Sequence, residues 1–125
     1  MPVDAGDVIY VKFPTTNAGD LAHPALVLCA YNEAGTVLLS VAYGSSKKVC
    51  ASGHTPYEMV INTPKYIRLA GLREPTRFDL SVRATVELAK ASKIGSLNLQ
   101  DPAIFNKLRT AVLASEYLLS GEGVV

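Results

Sequence analysis

The sequence predicts a mainly β domain: a small barrel of six or seven short strands capped by one C-terminal helix. Three observations carry this expectation. Short β-branched and aromatic runs, broken by Gly, Pro, Asn and Ser clusters, fill the first half of the chain. Residues 76–88 hold a long period-2 alternation, with Phe78, Leu80, Val82, Ala84, Val86 and Leu88 alternating with polar side chains. A helical period occurs at one place, after Asp101-Pro102.

The elements follow in order. Asp7–Phe13 reads as a strand that ends at Pro14. The polar, breaker-rich stretch 14–23 is a loop, long enough for a functional role. Pro24–Tyr31, the longest apolar run, reads as a buried strand, and Cys29 within it as an ordinary buried thiol. Asn32–Gly35 is a tight turn, and Thr36–Tyr43 is the returning strand. A second long loop covers 44–56, and Tyr57–Ile61 is a short strand. Tyr66–Ala70 is read as a strand between Pro64 and Gly71. In the alternating stretch 76–88, the even positions face the core. The odd positions present Arg77, Asp79, Ser81, Arg83, Thr85 and Glu87 on the opposite face. Lys93–Leu97 is a further short strand or extended turn. Asp101 and Pro102 then open the helix as N-cap and first residue. Ile104, Leu108, Ala111, Ser115 and Leu118 form its stripe, widened by Phe105, Val112 and Leu119.

Composition bounds the function. With 125 residues, 49% of them hydrophobic and 18% charged, the chain fits one domain, 1–125, with a packed core. An eight-residue apolar run is far short of the roughly 20 residues a membrane helix needs. The N-terminus lacks the pattern of a secretory signal, and Cys29 and Cys50 do not make a disulfide framework. A cytoplasmic protein is expected. His23, Cys29, Cys50 and His54 lack the close spacing of zinc ligands, so no metal or other cofactor is expected. Nor does the chain hold a phosphate-binding glycine loop, a Gly-x-Ser-x-Gly elbow or a His-Glu-x-x-His motif.

Charge is unevenly spread. The net charge of the whole chain is +1, yet residues 41–100 carry nine bases against four acids. Seven of those bases lie between Lys47 and Arg83, a distribution able to attract phosphates or simply to form a solvated face. Within it, Arg77 and Asp79 lie two apart on a strand, next to Thr76, and so share a surface. A cation beside a carboxylate suits phosphate chemistry, the one stabilising charge and the other handling a proton; the plain alternative is a surface ion pair. His23 ends the first loop, where an imidazole can act as acid or base near neutrality. Ser45 and Ser46 stand at the mouth of the second loop, followed by Lys47 and Lys48.

Several of these segments, in this order, resemble MazF/PemK-type (Kid-like) toxins. The opening Gly6-Asp-Val-Ile-Tyr-Val-Lys-Phe-Pro-Thr15 is similar to that family's first strand and Pro-Thr loop. His23-Pro-Ala-Leu-Val-Leu28 is similar to its Arg-Pro-Ala-Leu-Val strand, with His23 in place of the arginine. Ala42-Tyr-Gly-Ser-Ser46 resembles the end of its Ala-Pro-Ile-Thr-Ser strand, and Gly71-Leu72 through Thr76-Arg-Phe-Asp79 resembles the segment that carries an Arg-x-Asp pair. Lys93-Ile-Gly95 before a last helix also fits, so the resemblance spans nearly the whole chain.

The resemblance implies an SH3-like barrel, a homodimer, and the toxin of a type II toxin–antitoxin pair. It implies a metal-independent endoribonuclease that cleaves single-stranded RNA by attack of the ribose 2′-OH, with a cognate antitoxin as partner. Asp79 would accept the proton and Arg77 would steady the phosphorane. His23 would contact phosphate or shuttle protons, and Ser45 would contact phosphate in place of a threonine. Ser46, Lys47, Lys48, Arg73 and Thr76 complete the expected substrate-binding set. Two other readings stand beside this one. One is a catalytically degenerate relative that binds a protein or peptide; the other is a gyrase-poisoning toxin on a related barrel.

Overall fold

A computed structural model describes residues 2–13, 21–47, 49 and 55–119. Six strands form one antiparallel sheet: β1 (Asp7–Lys12), β2 (Ala22–Glu33), β3 (Thr36–Ser45), β4 (Glu58–Ile61), β5 (Thr76–Glu87) and β6 (Ser92–Ser96). Their spatial order is β4-β5-β3-β2-β1-β6. Helix α1 (Pro64–Leu69) joins β4 to β5, and α2 (Pro102–Leu119) ends the described chain. The mainly β class, the six strands and the terminal helix agree with the sequence reading. Among the described residues the edge strands β4 and β6 do not pair with each other, so the sheet is not closed by hydrogen bonds.

Alternation along the strands feeds two cores. Val8, Leu26, Ala42, Phe78 and Leu80 point to one face, where Ile104, Leu108 and Ala111 of α2 cover them. Ile9, Val11, Ala25, Val27, Leu39 and Val41 point to the other, with Val3 and Phe13. The central part of β2, Ala25–Val27, is therefore buried on both faces, as its unbroken apolar run predicts. The strand is longer than that run, and beyond Leu28 it leaves the core. Cys29 is exposed, which corrects the expectation of a buried thiol. The hairpin to β3 turns at Ala34-Gly35, both with positive φ, and Gly35 N–H donates to Asn32 Oδ1.

β5 departs from the sequence reading in an informative way. Tyr43 pairs with Asp79 but its neighbour Ala42 pairs with Arg83, so Leu80, Ser81 and Val82 form a wide bulge with no partner on β3. Three extra residues invert the side-chain parity. Phe78 before the bulge and Leu80 at its start enter the helix-covered core; Val82 at its end and Ala84 and Val86 beyond it pack into the opposite one. The odd positions are split accordingly. Arg77 and Asp79 share a face with Tyr43, whereas Arg83 shares the face of Ala42, under α2. The expectation of one continuous polar face is corrected by this register shift.

Residues 66–70 also differ from the expected strand: they lie in and just after α1. Pro64 occupies the start of the helix, where its missing N–H costs nothing and its fixed φ suits the turn. Tyr66, Ile67 and Ala70 then fall on one side and pack into the helix-covered core. Gly71, at φ +69°, ends the helix: its N–H donates to Arg68 O and Leu72 N–H donates to Ile67 O, a Schellman closure. A Cβ at Gly71 would stand 1.8 Å from Ile94 O, so this turn lies directly against edge strand β6. Helix α1 thus covers part of the edge that the sheet leaves open. At α2, Asp101 caps the N-terminus as predicted: its Oδ1 accepts the Ala103 N–H at 3.0 Å, and its other oxygen accepts the Tyr66 hydroxyl. No helix among the described residues is long and apolar enough to cross a membrane.

Candidate functional site

Where β2 begins and β3 ends, the sheet opens into a cleft of about 540 Å³. Its walls come from three separated segments. β2 supplies His23 and Pro24, the end of β3 supplies Tyr43 to Ser45 with Ser46 and Lys47 beyond, and the turn into β5 supplies Leu72, Arg73 and Glu74 with Thr76, the first residue of that strand; Tyr10 of β1 adds an aromatic ring. Gly44 permits this close approach of strands, since a Cβ there would lie 2.5 Å from Pro24 O.

The expected site residues divide among three places. His23, Ser45, Ser46, Lys47, Arg73 and Thr76 line the cleft. Arg77 and Asp79 lie on β5, paired with the lining residues Ser45 and Tyr43 but not themselves in the lining, and Lys48 lies outside the described residues. Ser46, Lys47 and Arg73 are exposed, while Ser45 and Thr76 are buried polar groups with local partners. Ser45 Oγ accepts the Lys47 N–H at 3.1 Å, and the Thr76 hydroxyl donates to Glu74 O at 3.0 Å. Lys47 and Arg73 against Glu74 leave the cleft wall with a net positive side chain balance.

His23 is half-buried beside Tyr43, with ring centroids 5.3 Å apart and Nδ1 3.5 Å from the tyrosine hydroxyl. Its Nε2 is buried and has no partner among the described residues. Phe13 also meets Tyr43, edge-on at 5.2 Å. The imidazole is therefore held in place by an aromatic wall rather than by a carboxylate.

Arg77 and Asp79 share a face, as their spacing predicts, but they do not pair with each other. Arg77 Nε donates to Lys47 O and its Nη1 donates to Glu58 Oε2, each at 2.8 Å. Asp79 Oδ1 accepts both the N–H of Ser81, at 2.9 Å, and its hydroxyl, at 2.5 Å. The Asp79 carboxylate thus closes the first turn of the bulge.

Glu58, Tyr10 and Tyr43 escaped the sequence reading as site residues. Glu58 opens the four-residue strand β4, and burial raises its carboxyl pKa. The Thr55 N–H and hydroxyl bonds, followed by the Arg77 bond and charge, outweigh burial and hold it below the ordinary value. Only the alternation Glu58-Met59-Val60-Ile61 hinted that Glu58 faces away from the core, and nothing local told that β4 lies next to Arg77. Among the described residues, no group of three or more His, Cys, Asp and Glu is placed to hold a metal ion.

The fold is that of the MazF toxins. An endoribonuclease in complex with its cognate antitoxin, from Mycobacterial species, superposes with a TM-score of 0.63 at 16% identity, covering 94% of this chain and 97% of that one. MazF from Deinococcus radiodurans gives 0.63 at 17% identity, over 91% and 96%. The Mycobacterium tuberculosis toxin MazF-mt6 gives 0.53 at 19% identity, over 84% and 94%. By sequence, no protein-family model matches the chain and no curated protein matches it.

Proposed function

We propose that this chain is the toxin of a toxin–antitoxin pair, a single domain over residues 1–125 that cleaves single-stranded RNA without a metal. The observation that carries the reading is the cleft itself. Within a MazF fold, it gathers His23, Ser45, Ser46, Lys47, Arg73 and Thr76 from three separate segments. Exposed cations, buried hydroxyls and the aromatic rings of Tyr10 and Tyr43 form a surface suited to backbone phosphates and unstacked bases.

In the proposed reaction the ribose 2′-oxygen attacks the adjacent phosphorus and the P–O5′ bond breaks. The products are a 2′,3′-cyclic phosphate and a 5′-hydroxyl. Arg77, directly opposite Ser45 across β3 and β5, steadies the charge on the phosphorane. His23 takes the 2′ proton, and water supplies a proton to the departing 5′ oxygen; the pairing of Asp79 with Ser81 argues against giving Asp79 the first task. An RNA substrate fits the expectation of a cytoplasmic protein.

The antitoxin complexes among the similar structures support an antitoxin partner here as well. Phe105 and Leu113, 48% and 55% exposed on α2, are the apolar surface proposed for pairing with a second copy.

The test is incubation of purified protein with a long single-stranded RNA in EDTA, with end-group analysis of the products. Cleavage to cyclic phosphate and 5′-hydroxyl ends is expected. It should be abolished on 2′-deoxy substrate and reduced roughly 10²-fold by His23→Ala. No cleavage would overturn the enzymatic reading. One observation favours a second reading, a binding module without catalysis: Asp79 is already engaged with Ser81. Tight binding of RNA with no cleavage would select it.

A further inference from the structure

Arg77 is fixed at two of its five N–H positions, by the Lys47 carbonyl and by Glu58, and its Nη2 makes no hydrogen bond to a described residue. Its side chain is 21% exposed, that of Glu58 only 11%. Glu58 is itself held, because Oε1 accepts the Thr55 N–H at 3.0 Å and the Thr55 hydroxyl at 2.8 Å. A held carboxylate therefore fixes Nη1 of a guanidinium whose Nη2 has no partner among the described residues, on the residue that pairs with the buried Ser45.

We infer that Glu58 is the positioning residue of this site: it locks the Arg77 guanidinium against the Lys47 carbonyl so that Nη2 is presented to a substrate phosphate. The inference rests on the RNA-cleaving reading and names a residue that reading does not include. Both Glu58 oxygens accept hydrogen bonds from the protein itself, which suits it to orientation rather than to proton transfer. An unheld arginine samples many rotamers; holding it removes that cost before substrate arrives. Asp79, the carboxylate nearest to Arg77 in sequence, is turned to Ser81 and makes no hydrogen bond to Arg77.

The experiment is a double-mutant cycle on the full chain: wild type, Glu58→Gln, Arg77→Gln and the double variant. Two readouts are taken, steady-state cleavage of single-stranded RNA and binding of the same sequence as a 2′-O-methyl oligonucleotide. Glu58→Gln should lower kcat by about 10-fold or more with KM changed less than about 3-fold. In the Arg77→Gln background the same change should cost less than about 3-fold, since the residue it positions is gone. Equal losses in both backgrounds would show that Glu58 acts through the fold and overturn the inference. So would unchanged kcat, or faster cleavage with tighter binding, which would make Glu58 a competitor of the phosphate. Thr55→Val guards against misfolding of the charged variants; it loosens Glu58 alone and should lower kcat about 3-fold, an unchanged kcat counting against the inference. If wild type cleaves no RNA, the functional reading fails and the cycle is read on binding. Weakening of about 10-fold by Glu58→Gln, confined to the Arg77 background, then supports positioning, and unchanged binding overturns it.

Discussion

Arg83 and Ser115 meet across the interface between β5 and α2: Arg83 Nη2 donates to Ser115 Oγ at 2.5 Å. Ser115 is fully buried and passes its own proton to Val112 O at 2.7 Å. Arg83 Nε meanwhile donates to Leu80 O at 2.7 Å, inside the bulge. One side chain thus satisfies a bulge carbonyl and ties the parity switch of β5 to the helix. Ser115→Ala removes a hydrogen bond to a charged donor at a buried position, at a cost of about 1–2 kcal/mol. Urea unfolding should show a lower midpoint with an unchanged m-value. An unchanged midpoint would mean that Arg83 finds water at no cost.

Gly71→Ala should be far more damaging. The position needs a positive φ, and an added Cβ would meet the backbone of β6 at Ile94 O. A backbone oxygen cannot step aside as a side-chain tip can. The loss should be at least ~3 kcal/mol, with α1 forced off the edge of β6. Far-UV circular dichroism and thermal unfolding would detect it. A variant as stable as wild type would contradict the contact between α1 and β6.

The legible and illegible parts of the sequence separate on physical grounds. Strands whose pattern is set by burial on fixed faces, such as Asp7–Lys12 and Thr36–Ser45, could be read locally, as could the Asp101-Pro102 helix start. Helix α1 was missed because a six-residue helix is too short to establish a period. Its real signals were Pro64 at the start and Gly71 just past the end. The bulge at Leu80–Val82 was invisible for a different reason: the alternation runs through it unbroken, and only the register with β3 reveals that the even positions serve two cores. At the site, spacing placed Arg77 and Asp79 on one face. The partners of each were set by tertiary pairing, Glu58 across β4 and Ser81 within the bulge.

Acid should weaken the Glu58 clamp. Its folded pKa lies below the ordinary carboxylate value of 4.5, the usual carboxylate case. Its contribution to stability is then fully present above the unfolded value and is lost as pH falls through the lower folded one. Wild type should lose stability progressively as pH drops below about 4.5, and Glu58→Gln should show a flatter profile over that range. Denaturant midpoints measured from pH 6 down to pH 2 give the comparison. Parallel curves for the two proteins would remove Glu58 from the acid transition.

RNA affinity should depend on salt through the exposed cations of the cleft, despite the net charge of +1 for the whole chain. Each phosphate contact on a single strand adds roughly 0.7 to the slope of log affinity against log salt. Lys47→Ala should therefore lower that slope by about this amount. Lys107, on α2, whose ammonium is bonded to Val60 O and which does not line the cleft, serves as the control and should leave the slope unchanged when replaced by Ala. The two slopes are read from binding of a 2′-O-methyl oligonucleotide at several salt concentrations. Equal slopes for wild type and Lys47→Ala would place the RNA elsewhere.

Asp79 offers the sharpest division between a chemical and an architectural role. As a general base, its loss of charge in Asp79→Asn should cost about 10²–10⁴-fold in rate. As the cap of the bulge, the asparagine can still accept the Ser81 N–H through its amide oxygen, and activity should stay within a few-fold of wild type. Asp79→Ala removes that acceptor altogether. It leaves the Ser81 N–H and hydroxyl without their partner, costs about 1–2 kcal/mol of stability, and loosens the strand that carries Arg77. The geometry therefore predicts an order in which Asn is tolerated and Ala is harmful, with rate and stability falling together. The opposite pattern, a stable but inactive Asp79→Asn protein, would return the proton to Asp79 and relieve His23 of it.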